Sequence, residues 1–248
     1  MIEKVEGIVY TCQDYGETSR IINVITKKYG IIGMIAKGAK NMKSNLRSTT
    51  DRLTYGYFHI YYKKDKLSIL SAVDVIDNFK DIRKDIHKIS YATYLLELSG
   101  QVMKHSYRDE IYDLLIGGII KINEHYDPMV IMNIVELKYL DFLGVMPIID
   151  CCCKCGRTDS IATLSSEAGG YLCNHCRVNE KIVNEKTIKL IRMFYYVDIS
   201  KISKIEISQE SKNEINNFLN DYYDRYTGLY LKSKTFINNL TKLEVKSQ

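Results

Sequence analysis

Up to about Phe79 the apolar positions come in short runs rich in Ile, Val and Tyr, broken by turn residues such as Asp14, Gly16 and Gly30. The runs are Gly7 to Tyr10, Arg20 to Thr26, Ile31 to Lys37, Leu53 to Tyr62 and Leu67 to Ile76. β-Branched and aromatic side chains suit a pleated, half-buried surface, so each run predicts a strand. Five strands in about 80 residues suit a small closed barrel, and the OB-fold, whose loops grip oligonucleotides, is the expected form.

After Asp81 the period changes to that of a helix. Ile82, Ile86 and Ile89, then Ala92, Leu95, Leu96, Ser99 and Met103 follow it, and Ile111, Leu114, Leu115, Gly118, Ile119 and Ile122 form a second stripe. A third helix has both ends written in the chain: Asp127 as N-cap, Pro128 at the first helical position, and Gly144 with Pro147 as the stop. Further on, Asn184 caps a helix with Ile188, Ile191 and Tyr195 facing inward. Ser208 opens another, with Ile215, Phe218, Leu219, Tyr222 and Tyr226 on one stripe, and Leu231 to Leu240 make a short last one. The expected organisation is α+β and multi-domain: an OB-fold β-barrel over residues 1–80, then an α-helical domain over 81–248 with an insertion at about 150–177.

That insertion, DCCCKCGRTDSIATLSSEAGGYLCNHC from Asp150 to Cys176, holds six of the seven cysteines. Two C-x-x-C pairs, Cys152/Cys155 and Cys173/Cys176, are separated by 17 intervening residues, which is the spacing of a four-cysteine zinc ribbon. A C-x-x-C turn lets two thiolates converge on one cation, and Gly156 can take the positive φ that closes the knuckle. Gly169 and Gly170 stand where a hairpin must return the chain to the first pair. Cys151 and Cys153 flank Cys152, and His175 lies between Cys173 and Cys176, so the ligand register can shift; only Cys152/Cys155 gives C-x-x-C-G. A disulfide framework does not suit a chain this long with clustered cysteines, and a redox C-x-x-C would need one pair in a βαβ setting. Four protein ligands leave no open position, so one structural Zn2+ is expected.

Composition adds little until it is mapped. Net charge is +5, and the chain is 46% hydrophobic and 26% charged, with no apolar run near a membrane span of about 18 residues. No charged-then-apolar leader opens the chain, and reduced thiols with a metal site place the expected protein in the cytoplasm. Residues 1–80 hold 13 Lys and Arg against 8 Asp and Glu, and the rest of the chain balances. Nothing between Glu17 and Asp51 is acidic, while Arg20, Lys27, Lys28, Lys37, Lys40, Lys43 and Arg47 are basic. Such a window is the footprint of a polyanion site. The stretch Lys37 to Arg47 reads as a loop whose Lys37, Lys40, Lys43 and Arg47 follow a phosphate backbone, with Arg20 as the next DNA-binding candidate. Tyr29, Tyr55, Tyr57, Tyr61 and Tyr62 offer faces for unpaired bases.

No G-x-x-x-x-G-K-[ST], G-x-G-x-x-G or H-E-x-x-H occurs. His87, His105 and His125 are isolated among charged residues and read as surface histidines, and the acidic residues are scattered. With no identifiable nucleophile, base or open metal, the chain reads as a binding protein and not an enzyme.

Several stretches, taken in order, resemble one family. Glu6-Gly7-Ile8-Val9, DYGETSRI from Asp14 and TKKYGIIGMIAKGAK from Thr26 are similar to the amino-terminal domain of the bacterial RecO recombination mediators. Cys152 to Gly156 with Gly169 to Cys176 resembles the zinc insertion of that family's zinc-bearing branch, and Leu231-Lys232-Ser233-Lys234-Thr235-Phe236 its carboxy-terminal L-K-S-x-x-F motif. The resemblance implies a DNA-binding mediator of recombinational repair, nucleoid-associated, that binds single- and double-stranded DNA and anneals complementary strands without ATP. Its implied partners are RecR and the carboxy-terminal tail of single-strand binding protein, with RecA loading and RecF reached indirectly. The alternative from another class is a zinc-ribbon RNA-binding or transcription-associated factor, told apart by a preference for structured RNA without strand annealing.

Overall fold

The computed structural model describes residues 2–204 and 206–245. It resolves into two compact units, one made of the residues up to Ile116 together with those from Phe236 on, the other of Gly117–Thr235.

In the first unit five strands, β1 (Ile2–Tyr15), β2 (Ser19–Thr26), β3 (Gly30–Ala36), β4 (Tyr55–Tyr61) and β5 (Ser68–Asp77), close into a barrel of order β1-β2-β3-β5-β4. All five expected strands are present. The first is far longer than Gly7 to Tyr10, because its two halves serve different neighbours. Ile2 to Ile8 pair with β4, and Gly7 to Tyr15 pair with β2 across a bulge between Val9 and Thr11. A bulge bends its strand and tightens the twist, which lets one strand turn the corner of a small barrel. Closure comes from β3 and β5, which run parallel with Met34 opposite Ser68 and Ile35 opposite Ile69.

Alternation then fills the interior. Val5, Val9, Ile22, Val24, Met34, Phe58, Ile60 and Leu70 form one buried cluster. Each fully buried residue of this kind contributes roughly 1.5–3 kcal/mol. Ala39 also reaches this core and is fully buried, so the basic stretch after β3 is pinned at its second residue beyond Lys37. That stretch is not an open loop throughout: α1 (Leu46–Thr49) gives it one helical turn.

Behind the strands come α2 (Lys80–Arg83), α3 (Ile86–His105) and α4 (Asp109–Asn123). The Asp85 carboxylate caps α3 by accepting from the N–H groups of His87 and Lys88. Hydroxyls of Tyr55 and Tyr112 both donate to Glu6, at 2.6 and 3.2 Å, tying the start of α4 to the barrel.

The second unit is built on α5 (Pro128–Phe142), whose residues from Ile131 to Leu137 are all buried. Both expected ends are there: Asp127 accepts from Met129 and Val130 N–H, and past the last turn Val145 N–H donates to Leu140. After it come the hairpin β6 (Ile161–Ser165) and β7 (Gly170–Cys173), then α6 (Glu185–Tyr196) and α7 (Gln209–Tyr226); α8 (Lys232–Val245) starts in this unit, and its residues from Phe236 on count with the first. Asn184 and Ser208 cap α6 and α7 as their positions predict. The buried stripe of α6 is Thr187, Ile191 and Phe194, one residue rotated from the expected Ile188, Ile191 and Tyr195. A buried Thr187 is admissible because its hydroxyl bonds Ser211 and Glu214 of α7. No helix among the described residues is long and apolar enough to cross a membrane.

Candidate metal centre and nucleic-acid interface

The two knuckles are backbone structures. In the first, Gly156 N–H donates to Cys152 O at 2.8 Å with Gly156 at φ +73, a conformation that side chains disfavour. In the second, Cys176 and Arg177 N–H both donate to Cys173 O at 3.1 Å. The β6–β7 hairpin places Cys173 at the end of β7, and Cys153 N–H donates to Tyr171 O, which draws the first knuckle against that strand. Gly170 forms a bridge to Ile148, where a Cβ would lie 2.1 Å from Ile148 O. Two tyrosines fasten the ribbon to its helices: Tyr171 donates to Ile188 O and Tyr226 to Ser166 O.

Four sulfurs result, those of Cys152, Cys155, Cys173 and Cys176, all within 4.8 Å of one another. Cys155 and Cys173 are 3.7 Å apart. Four thiolates around one cation at about 2.3 Å would be spaced by about 3.8 Å, so the set fits a tetrahedral metal ion. Cys151, Cys153 and the exposed His175 lie outside it. Burial opposes ionisation of Cys152, yet the N–H groups of Cys173, Cys155 and Lys154 outweigh it and bring this thiol down to about 6. Cys176, hydrogen-bonded to Cys155 and desolvated, is pushed up to about 12. Sulfurs this close do not all ionise unless a cation shares their charge. Apart from the cysteines the ribbon's own core is little more than Leu172 with Ile161 and Ala168 packed on it, too little to hold the segment by burial.

On the barrel the cations divide by whether they have an acidic partner. Arg20 is committed: Nη1 donates to Arg47 O, Thr50 Oγ1 and Asp51 Oδ1 at 2.8–3.0 Å, and Nε lies 3.6 Å from Asp14. Lys40 pairs with Asp14 at 3.0 Å, and its N–H donates to Thr18 O. Lys27 and Lys28, from the same acid-free window, pair with Asp113 and Glu3. By contrast Lys37, Lys43 and Arg47 are exposed and have no ion pair among the described residues. Arg20 thus clips the far end of the basic stretch to the β1–β2 hairpin, and three charges remain turned to solvent.

The tyrosines divide in the same way. Tyr29 donates to Glu3 and stacks on Tyr62 with centroids 4.3 Å apart, Tyr55 donates to Glu6, and Tyr57 lies under the Lys4 ammonium. Tyr61 is 45% exposed. Tyr15, the last residue of β1, is 54% exposed and was not among the tyrosines singled out from the sequence. Of the isolated histidines, His105 and His125 are exposed and His87 is half-buried.

A five-stranded closed barrel, a helical region and a four-cysteine group able to hold a metal ion define a mixed α+β protein of the oligonucleotide-barrel type. The family model for "Recombination protein O N terminal" matches residues 1–79, and that for "Recombination protein O C terminal" matches residues 83–235. A protein of Listeria monocytogenes named DNA repair protein RecO is 34% identical over 247 residues, covering 98% of this chain and 96% of its own. Proteins of the same name from Halalkalibacterium halodurans and Bacillus pumilus are each 33% identical, over 252 and 248 residues, covering 100% and 98% of this chain and 99% and 96% of their own. The chain belongs to the RecO family of DNA repair proteins.

Proposed function

We propose that this chain is a DNA-binding recombination mediator that anneals complementary strands without nucleotide hydrolysis. The observation that carries the reading is the group of unpaired cations Lys37, Lys43 and Arg47, projecting from one pinned stretch of an OB-type barrel in a chain of this family. Lys40 adds to the site from an ion pair with Asp14 that a phosphate can replace, and Arg20 holds the stretch in place through Asp51 and Arg47 O. Annealing is limited by repulsion between two polyanions, and cations that neutralise phosphate lower that barrier without chemical energy. In this reading the barrel domain is residues 1–80 and the helical domain 81–248. Cys152, Cys155, Cys173 and Cys176 hold one structural Zn2+, and the protein works on cytoplasmic, nucleoid DNA with no catalytic step of its own. RecR and the carboxy-terminal tail of single-strand binding protein dock on it, and RecA is loaded as the outcome.

The test is annealing of complementary oligonucleotides coated with single-strand binding protein, in the absence of ATP. Wild type accelerates the reaction, and a Lys37→Ala/Lys40→Ala/Lys43→Ala/Arg47→Ala variant that keeps its fold and zinc does not. No acceleration by zinc-loaded wild type at moderate salt would refute the mediator reading.

A further inference from the structure

The four-sulfur centre is built unevenly. Cys152 and Cys173 are buried, Cys176 is half-buried and Cys155 is exposed. The next residue leaves that side open, because at Gly156 an added Cβ would meet nothing within 4 Å. A small molecule in solvent therefore reaches the centre at the Cys155 sulfur. Facing that sulfur is one from the other knuckle, with Cys155 Sγ and Cys173 Sγ 3.7 Å apart. A disulfide needs about 2.05 Å, so a short displacement of one side chain would bring this pair to bonding distance.

The ribbon depends on these sulfurs. A zinc ion has no redox chemistry of its own, but when bound it keeps its thiols deprotonated, and the thiolate is the form that attacks an oxidant. Besides the cysteines, the core of the segment is Leu172 with Ile161 and Ala168 packed on it. Its ties to the helices are Tyr171, which donates to Ile188 O of α6, and Tyr226 of α7, which donates to Ser166 O. Oxidation of two ligands thus removes what holds the ribbon, and these tyrosines pass the change to α6 and α7. The spare thiols do not compete for the oxidant. Cys151 and Cys153 lie outside the centre and are half-buried, and Cys153 packs on the cluster of Cys152, Leu172 and Cys173 with its N–H fixed to Tyr171 O.

We infer that the centre is a redox switch: hydrogen peroxide entering at Cys155 converts Cys155 and Cys173 into a disulfide, and the site gives up its metal ion. The inference rests on the zinc reading above and adds what that site responds to. In the first step the Cys155 thiolate attacks the peroxide; an S–O bond forms, the O–O bond breaks, and the leaving hydroxide takes a proton from solvent. In the second the Cys173 thiolate attacks the Cys155 sulfur; the S–S bond forms, the S–O bond breaks, and a second hydroxide leaves and is protonated. The two sulfurs together have lost two electrons and the peroxide has gained them. Cys152 and Cys176 remain, half of the ligand set that a closed zinc site needs. The new bond spans the two knuckles, so their cysteines stay paired, and a dithiol with added zinc restores the site.

The full-length, zinc-loaded protein is treated with hydrogen peroxide while a chromogenic chelator reads free zinc. Wild type releases its zinc and gains one disulfide, which peptide mapping without reduction assigns to Cys155 and Cys173. Excess dithiothreitol with added zinc reverses both changes. Cys155→His keeps four ligands of the kinds that structural zinc accepts, and it retains the ion over the time in which wild type empties. Cys151→Ser/Cys153→Ser releases zinc as wild type does. Should Cys155→His take up no zinc, the disulfide map of unaltered wild type decides. If untreated wild type holds no metal, the zinc reading fails and takes this inference with it. If wild type holds zinc and peroxide does not release it, or the disulfide joins any other pair, or Cys155→His empties as fast as wild type, the switch alone is overturned.

Discussion

Removing the Lys234 ammonium should be among the most damaging changes to the helical unit. Its Nζ donates to Glu136 Oε1, and Glu136, on α5, is wholly excluded from solvent while the Lys234 side chain is 17% exposed. In Lys234→Met the buried carboxylate loses this counter-charge, and breaking a buried pair from one side costs about 3–5 kcal/mol. Against a total stability of about 5–15 kcal/mol that is a large fraction. For a chain of this size it lowers Tm by roughly 6–20 °C. Removing both charges, in Glu136→Leu/Lys234→Met, should cost far less than either single change and can stabilise by up to about 4 kcal/mol, because neither desolvated ion remains. Urea unfolding of wild type, the two single variants and the double variant, followed by far-UV circular dichroism, closes the cycle. If Lys234→Met costs under about 1 kcal/mol, or if the single effects add in the double variant, the pair is not coupled in a dry interior and the reasoning is refuted. The same contact gives the Leu231-Lys232-Ser233-Lys234-Thr235-Phe236 stretch a physical role, since it ties the first turn of α8 to α5.

Other outcomes follow from the site. Metal analysis of purified protein should find one zinc per chain, and Cys173→Ser should lose it and make the 150–177 segment sensitive to protease while the barrel strands keep their circular dichroism. Replacing Gly170 by Ala, at φ +154 and facing Ile148 O, should destabilise the ribbon by about 1–3 kcal/mol for the backbone alone, read as faster zinc release to a chelator. Asp14 is held below its usual carboxylate range of 3.8 by the hydrogen bond from Lys40. A depressed folded-state pKa means its contribution is present above that range and lost as pH falls through the lowered value. Asp14→Asn, which removes the charge at any pH, should release Lys40 and raise oligonucleotide affinity at pH 7 with a steeper salt slope; weaker binding at equal stability would contradict the assignment.

Much of this protein was legible without coordinates, and what was legible is local. The zinc spacing, the caps at Asp127, Asn184 and Ser208, and the strand-then-helix order are properties of segments a few residues long, because periodicity, caps and turn geometry act at that range. The basic window was visible too, as a count of charges. Which of those charges are spent was not visible. Arg20 meets Asp51 at a separation of 31 residues, Lys27 meets Asp113 at 86, and Lys234 meets Glu136 at 98. Composition fixes how many cations there are, and the register of strands and helices fixes which are neutralised. Chain topology sets these long-range pairings, so only the tertiary structure could separate the charges that hold the fold together from those left facing solvent.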